Sequence, residues 1–530
     1  MGRTHLSVTL AVDPRGVAVK WLLSGVTLDK GEALGQLPVT IAGAPTLRPE
    51  AVALTATDEL GPVPLSLTPP DSGDGEPVHR WIVERPTRGP VGVSYRAEAV
   101  VGEPRPATAP LELRAENGGR SGALKNFVIL PPGPEDLTFE VHWDEPEGES
   151  STAVFSLGES TGGAQKVAAD TGLELLGDTY LMCGDLAGRH RRDGELSVWW
   201  LTPPGIDVEA FTARLGATYR VMAEAFDAPA HPYRVFLRTH PHRGATASAH
   251  PASFVMALNP DNPLDEASIY ETIAHELVHE WVRLDGPPED VTWFVEGAAD
   301  YYSLVLPLRA GMLDEDAFLS AVNFEAREGY ANPRRSLDLR AAQRLFFSDF
   351  LAHRLAYARG LFYLADLDAR LRQATAGRQC VDDIVRFVIR SRRAGVRVGI
   401  EHWCAQVQEV LPDAELPMLD AMVFAGVGRP GEDCFGPRFE QTTVQVPVLD
   451  LGLDPATFMT RRVQGLVPGG VAERAGLREG EIVELPRYPE IVRLNAGDVL
   501  DVGVTRDGEP TRVAIPLTGE TAAVPQWRIR

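Results

Sequence analysis

Lysine is nearly missing from this chain of 530 residues: Lys20, Lys30, Lys125 and Lys166 are the only four. Almost every basic side chain is therefore arginine. Basic residues are also outnumbered, with 51 Lys and Arg against 74 Asp and Glu, giving a formal net charge of −23. That balance excludes a general nucleic-acid binder and a polybasic membrane-surface protein. Cysteine is just as sparse. Cys183, Cys380, Cys404 and Cys434 are scattered, and none forms a C-x-x-C pair. A cysteine zinc knuckle and a disulfide framework are both excluded, and buried free thiols are expected. No apolar run reaches the roughly 18 residues of a membrane-spanning helix. The start, "MGRTHLSVTLAVDPRG", lacks the apolar core of a signal peptide; it reads as a β-strand and implies a cytoplasmic protein.

What is present describes a globular protein, 44% apolar and 24% charged, with a mean hydropathy of −0.11. Its length implies roughly three or four domains. No tandem repeat or extended low-complexity tract interrupts it. We read a multidomain α+β fold. Residues 1–165 form an all-β domain, a sandwich of short strands such as "HLSVTLAV", "GVAVKWLL", "VGVSYRAEAV" and "LTFEVHW". These are Val-, Thr- and aromatic-rich runs, separated by "LTPPDSGDGEP" and "DEPEGES". Residues 166–435 mix strands ("ELSVWWL", "YRVFLRT", "SFVMAL") with helices, and 264–425 are mainly helical. Apolar residues recur there at three- and four-residue spacing, as in "AFLSAVNFEAREGY" and "FLAHRLAYARGLFYLADLDARLRQA". After a Gly/Pro-rich boundary at 426–440, a small domain occupies 436–530.

The chemistry concentrates in "TIAHELVHEW", Thr272 to Trp281. Ile269, Ile273, Leu277 and Leu284 predict a helix from Leu264 to Leu284. Four-residue spacing puts His275 and His279 on one face, where two imidazoles can bind one zinc ion, with Glu276 beside it as general base. H-E-x-x-H arises by chance in roughly one protein in a hundred of this length, so the motif alone does not decide. The following "TWFVEGAADYYSLVLPLRAG" adds Glu296 and, one turn later, Asp300. A hydrolytic zinc site needs three protein ligands and one open position. Glu296 can be the third ligand. Asp300 can accept a hydrogen bond from the outer nitrogen of a ligand histidine and fix its orientation.

H-E-x-x-H followed by E-x-x-x-D resembles the thermolysin-type and aminopeptidase-N-type zinc peptidases. "WFVEGAADYYSLVLPLRAG" is more similar still to the glycyl aminopeptidase family. That family joins an N-terminal β domain, a thermolysin-like catalytic domain and a C-terminal PDZ domain, the order read above. The resemblance implies one Zn²⁺ and a peptide or protein substrate. It also implies a tyrosine that donates to the tetrahedral intermediate. "YARG" offers Tyr357, with Arg359 where lysine is usual and Gly360 after it; on its own, Tyr357 reads as a core tyrosine of an amphipathic helix. Family members carry a G-G-x-E-H-like stretch before the zinc helix. In "ATASAHPAS", His250 and Ser253 fall in place, but Thr246 and Ala247 replace the glycines and Ala249 replaces the acid. In the broader aminopeptidase group that acid grips the substrate's α-amine. The resemblance further implies that an edge strand at Ser253–Leu258 pairs with the substrate backbone. This makes Ala249, His250, Phe254, Val255 and Met256 expected substrate contacts.

The segment "VQGLVPGGVAERAGLREGEIVEL" is similar to the centre of a PDZ domain, with Leu451, Gly452 and Leu453 as its carboxylate-binding loop and a peptide as its ligand. A packing module without a ligand is the structural alternative. The resulting expectation is a zinc peptidase, an aminopeptidase for small N-terminal residues such as glycine. The alternatives are a PDZ-bearing metallo-endopeptidase and a catalytically silent peptide-binding scaffold.

Overall fold

The computed structural model describes residues 4–70, 77–100, 104, 108–132, 137–144, 152–160, 166–169, 172–242, 245–261, 266–346, 348–413, 415–506 and 508–530. Most of the separators "LTPPDSGDGEP" and "DEPEGES", and Leu264, lie outside these residues. The chain forms two compact units, Met1–Tyr219 with Ala230–Thr272, and Arg220–Pro229 with Ile273–Arg530.

The first unit is built from stacked sheets. Strands His5–Asp13, Gly16–Ser24, Val91–Glu98 and Thr138–Asp144 belong to one seven-stranded sheet. In His5–Asp13, buried and half-buried residues alternate for most of its length, as the two faces of a pleated strand require. A five-stranded sheet includes Gly119–Ala123, Thr152–Phe155 and Tyr180–Gly184. Every residue of Tyr180–Gly184 is buried, which marks a strand covered on both faces. Leu181 and Cys183 join the core they share with Leu6 and Val141. Tyr180 and Met182 join a second core, with Phe236 and Val255. Tyr180–Gly184, which follows the 165/166 division read from the sequence, thus pairs with strands that precede it.

Phe236 and Val255 come from a third sheet, ordered His190–Asp193, Leu196–Trp200, Tyr233–Thr239, Ser253–Leu258, Ala245–His250. This corrects one expectation. Ser253–Leu258 is not the edge strand; it pairs parallel with Tyr233–Thr239 and antiparallel with Ala245–His250. Phe254, Val255 and Met256 are wholly buried, so these three are core residues. Among the described residues the edge beside Ser253–Leu258 is Ala245–His250, where Ala249 is exposed and His250 is buried with its Nδ1 2.8 Å from the Asp178 carbonyl.

The second unit is mainly helical. The H-E-x-x-H helix covers Glu266–Val278, six residues short of the expected Leu284. Trp281 and Val282 donate their N–H groups to the Val278 carbonyl, both at 3.0 Å, closing a turn instead. Pro288–Arg309 follows, with Pro288 in its first turn and Glu289 and Asp290 beside its positive end. Asp314 caps Glu315–Tyr330 through the Ala317 N–H at 2.8 Å. Asp349 caps Phe350–Thr375 through Leu351 and Ala352. Pro288–Arg309 and Phe350–Thr375 cross where side chains vanish. A Cβ on Gly297 would lie 2.3 Å from the Gly360 Cα, and one on Gly360 would lie 2.1 Å from the Trp293 carbonyl. Gly360 of "YARG" thus permits the close approach that places Tyr357 beside Glu296.

The C-terminal part has its own core, including Val463, Leu477, Ile491, Leu500 and Ile515. It holds a three-stranded sheet of Val483–Glu484, Val499–Arg506 and Glu509–Pro516, and a long pair, Phe439–Pro447 with Thr521–Ile529. Near Val463 the pairing is a single antiparallel bridge between Arg462 and Ile482. A short helix forms at Val471–Ala475 and stops at Gly476, whose φ of 104° favours glycine. In the "LGL" loop the Gly452 N–H is taken by Asp450 Oδ1 at 3.2 Å.

Candidate metal centre

His275 lies on the last turn of its helix and His279 on the turn just beyond it. The spiral continues far enough to keep the rings together, 4.8 Å between centroids. Pro288–Arg309 brings Glu296 against them. His275 Nε2 is 3.1 Å from His279 Nε2 and 3.3 Å from Glu296 Oε2, and His279 Nε2 is 3.8 Å from Glu296 Oε2. Four ligands placed tetrahedrally about a zinc ion at its usual bond lengths sit about 3.4 Å apart. The triangle matches that spacing, so these donors fit a single divalent ion.

The neighbours of the triangle orient it. Asp300 Oδ1 lies 2.7 Å from His275 Nδ1, which directs the Nε2 lone pair inward. Burial opposes charge on His275, but the hydrogen bonds and charges of Asp300 and Glu296 outweigh it and raise its pKa well above the usual imidazole value. His275 is accordingly a strong donor. Burial depresses His279 to about 4, which keeps its ring neutral. Burial also acts on Glu296, yet the His275 hydrogen bond and the charges of both imidazoles bring it to about 2. Glu276, half-buried beside them, is pushed up to about 7 by desolvation, against the pull of His275. It is thereby poised to exchange a proton near neutral pH.

Tyr357 stacks on His275, with ring centroids 5.7 Å apart and an interplanar angle of 17°. Burial and then the Glu296 charge raise its pKa well above the phenolic value, so it remains a hydroxyl donor. All six expected residues (His275, Glu276, His279, Glu296, Asp300 and Tyr357) thus belong to the same cluster. Arg359, the departure from the family string, donates to the Arg335 and Leu337 carbonyls at 3.0 and 2.9 Å. Its part is structural.

Two residues of the cluster escaped the sequence reading. His353 lies 4.9 Å from the Tyr357 ring, and burial lowers it to about 4. Arg354 Cζ lies 4.5 Å from the same ring centre. Both stand three or four residues before Tyr357, and that helical spacing was the available signal.

No family model matches the sequence, and no curated protein matches it closely enough to count as a relative. Three-dimensional comparison does place the chain: its fold is that of the M1-type zinc metallopeptidases. It is similar to the crystal structure of an aminopeptidase N family protein from Idiomarina loihiensis, with a TM-score of 0.69 at 15% identity over 99% of this chain and 98% of that one. It is also similar to an M1 zinc metallopeptidase from Deinococcus radiodurans, with a TM-score of 0.51 at 17% identity over 81% of this chain and 95% of that one. Native leukotriene A4 hydrolase from Saccharomyces cerevisiae gives a TM-score of 0.51 at 13% identity over 81% and 68%. At these identities the likeness is one of fold. No helix among the described residues is long and apolar enough to cross a membrane.

Proposed function

We propose that this protein is a zinc-dependent peptidase. The observation that carries the proposal is the triangle of His275 Nε2, His279 Nε2 and Glu296 Oε2, with Glu276 beside it. These three side chains would hold Zn²⁺, which when bound supplies a Lewis acid that polarises a carbonyl and acidifies water. Glu276 takes the proton of the attacking water and passes it to the leaving amine. Tyr357 donates its hydroxyl to the developing oxyanion, a contribution typically worth about 10² to 10³ in rate. Asp300 holds the His275 ring through the proton on Nδ1. A catalytically silent scaffold would have no need of this complete set.

We infer an aminopeptidase acting on small N-terminal residues such as glycine. The aminopeptidase part of that reading is supported by the likeness to an aminopeptidase N family protein, and the small-residue part by the resemblance of "WFVEGAADYYSLVLPLRAG" to the glycyl aminopeptidases. Ala249 favours a second one. It is exposed on the edge strand where an α-amine-binding acid is expected, and an endopeptidase needs no such acid. The C-terminal module is proposed to be PDZ-like and to take a peptide end. The deciding experiment is digestion of a peptide library with and without a chelator, followed by N-terminal mapping of the products. Chelator-sensitive release of single residues from free N-termini supports the aminopeptidase. Equal cleavage of blocked peptides establishes the endopeptidase, and no chelator-sensitive product ends the proposal.

A further inference from the structure

The face of the Tyr357 ring is approached by a buried ion-pair network that the reaction itself does not require. Arg354 sits one turn before Tyr357 on Phe350–Thr375, with its guanidinium carbon 4.5 Å from the centre of the tyrosine ring. Its Nη2 donates to Glu325 Oε1 at 2.6 Å, and its Nε donates to Glu328 Oε2. Glu325 and Glu328 are three residues apart on Glu315–Tyr330 and point the same way. The Glu328 side chain is 1% exposed. Its other oxygen accepts from the hydroxyl of Tyr488. Tyr488 belongs to the C-terminal module, 131 positions after Tyr357 in the chain.

The module grips the same helix at neighbouring points. Arg327 donates to the Val492 and Leu494 carbonyls at 3.2 and 3.0 Å, and Asn323 donates to the Trp527 carbonyl at 2.8 Å. The Tyr488 ring meets Phe350, the first residue of the tyrosine-bearing helix, edge-on at 4.8 Å. Packing alone does not call for charges here. A buried ion pair is poor value for stability, because apolar groups of the same volume do as well. What a pair anchored at both ends does supply is direction. The guanidinium plane is fixed by two carboxylates, and one of these is fixed from the C-terminal module.

We propose that Arg354 is a positioning residue for Tyr357, and that the C-terminal module sets this position through Tyr488 and Glu328. The module is then a working part of the catalytic unit and not only a binding appendage. This rests on the peptidase reading with Tyr357 as oxyanion donor.

The test uses the full chain loaded with zinc. Glycine and alanine p-nitroanilides and an N-blocked, internally quenched peptide serve as probes. Tyr488→Phe removes one hydroxyl and keeps the ring against Phe350. It should lower kcat about three- to tenfold, with KM within about twofold and one zinc per chain retained. Arg354→Lys keeps the charge but loses the two-ended grip, and it should lower kcat about tenfold or more. Each change is then repeated in a Tyr357→Phe background. There Tyr488→Phe should have no further effect, because the residue it acts through is gone. An unchanged kcat in Tyr488→Phe overturns the inference. So does an equal fractional loss in both backgrounds, which would mark a general structural effect. A wild-type protein without chelator-sensitive turnover ends the peptidase reading and the positioning role with it.

Discussion

Asp368, Cys380 and Asp382 bring two carboxylates and a thiol as close together as His275, His279 and Glu296 bring their donors: in each trio the ligand-type atoms lie within 4.8 Å of one another. Their partners differ. Asp382 accepts from Arg309 at 2.7 Å and from the Tyr302 hydroxyl at 3.2 Å. Asp368 accepts from Arg372 at 2.7 Å and from the Val381 N–H at 3.0 Å. All four carboxylate oxygens are occupied, and burial holds the Cys380 thiol up to about 11, where it stays protonated. Among the described residues no arginine or lysine is bonded to the inward atoms of the histidine trio, and the Asp300 carboxylate takes the outward nitrogen of His275. Proximity of ligand-type residues does not make a metal site. Inward lone pairs left unclaimed by protein cations do.

The largest expected effect is on chemistry in the first trio. Glu276→Gln should keep one zinc per chain and lower kcat by about 10² to 10⁴, the usual range for a lost general base. Metal analysis and turnover on the same preparation check it, and undiminished turnover would remove Glu276 from the mechanism.

Next in size is a third way of keeping an acid buried, with neither metal nor arginine. Glu415 is fully buried. One of its oxygens accepts from the Tyr363 hydroxyl, and the other has no partner among the described residues. Burial raises it from 4.5 to about 7. Between those values the folded state binds more protons than the unfolded state. Stability should therefore fall as pH rises from about 4.5 through about 7, by at most roughly 3 kcal/mol. Glu415→Gln should remove this slope. Urea midpoints of wild type and variant at pH 5, 6, 7 and 8 measure it, and parallel profiles would show that Glu415 ionises freely in the fold.

A smaller change concerns orientation. Asp300→Asn retains an acceptor for the His275 Nδ1 proton but loses the charge behind it. Zinc affinity should fall about 10- to 100-fold, read by competition with a chromogenic chelator. Unaltered affinity would reduce Asp300 to a packing residue.

How much of this was legible depends on range. The trio, Glu276 and Asp300 lie within 26 residues, and helical spacing alone put the histidines on one face. Tyr357 needed the resemblance, because nothing local separates an oxyanion donor from a core tyrosine. The edge strand was misplaced although the signal was present. "SFVMAL" is apolar on both faces, the mark of an interior strand, while "ATASAH" is small and polar, as an edge can be. Strand pairing was not legible either: Tyr180–Gly184 pairs with Gly119–Ala123 and Thr152–Phe155, across the 165/166 division read from the sequence. The Arg354–Glu328–Tyr488 network joins residues 26 and 160 positions apart, and no periodicity encodes such a contact.

The smallest expected effect tests the difference between the two trios most directly. Asp382→Asn removes a carboxylate from the second trio. If that trio is an internal salt-bridge cluster, zinc stoichiometry and affinity should be unchanged. Only the pairing with Arg309 should suffer. That side chain is 37% exposed, so water can solvate the freed guanidinium, and the cost should be about 1 kcal/mol, near the upper end for exposed pairs. In a unit of this size that lowers Tm by about 2–4 °C. Calorimetry and metal analysis of the variant decide together. A fall in bound zinc, with the first trio intact, would mean that the arginines give way to an ion, and that occupied lone pairs do not separate the two clusters after all.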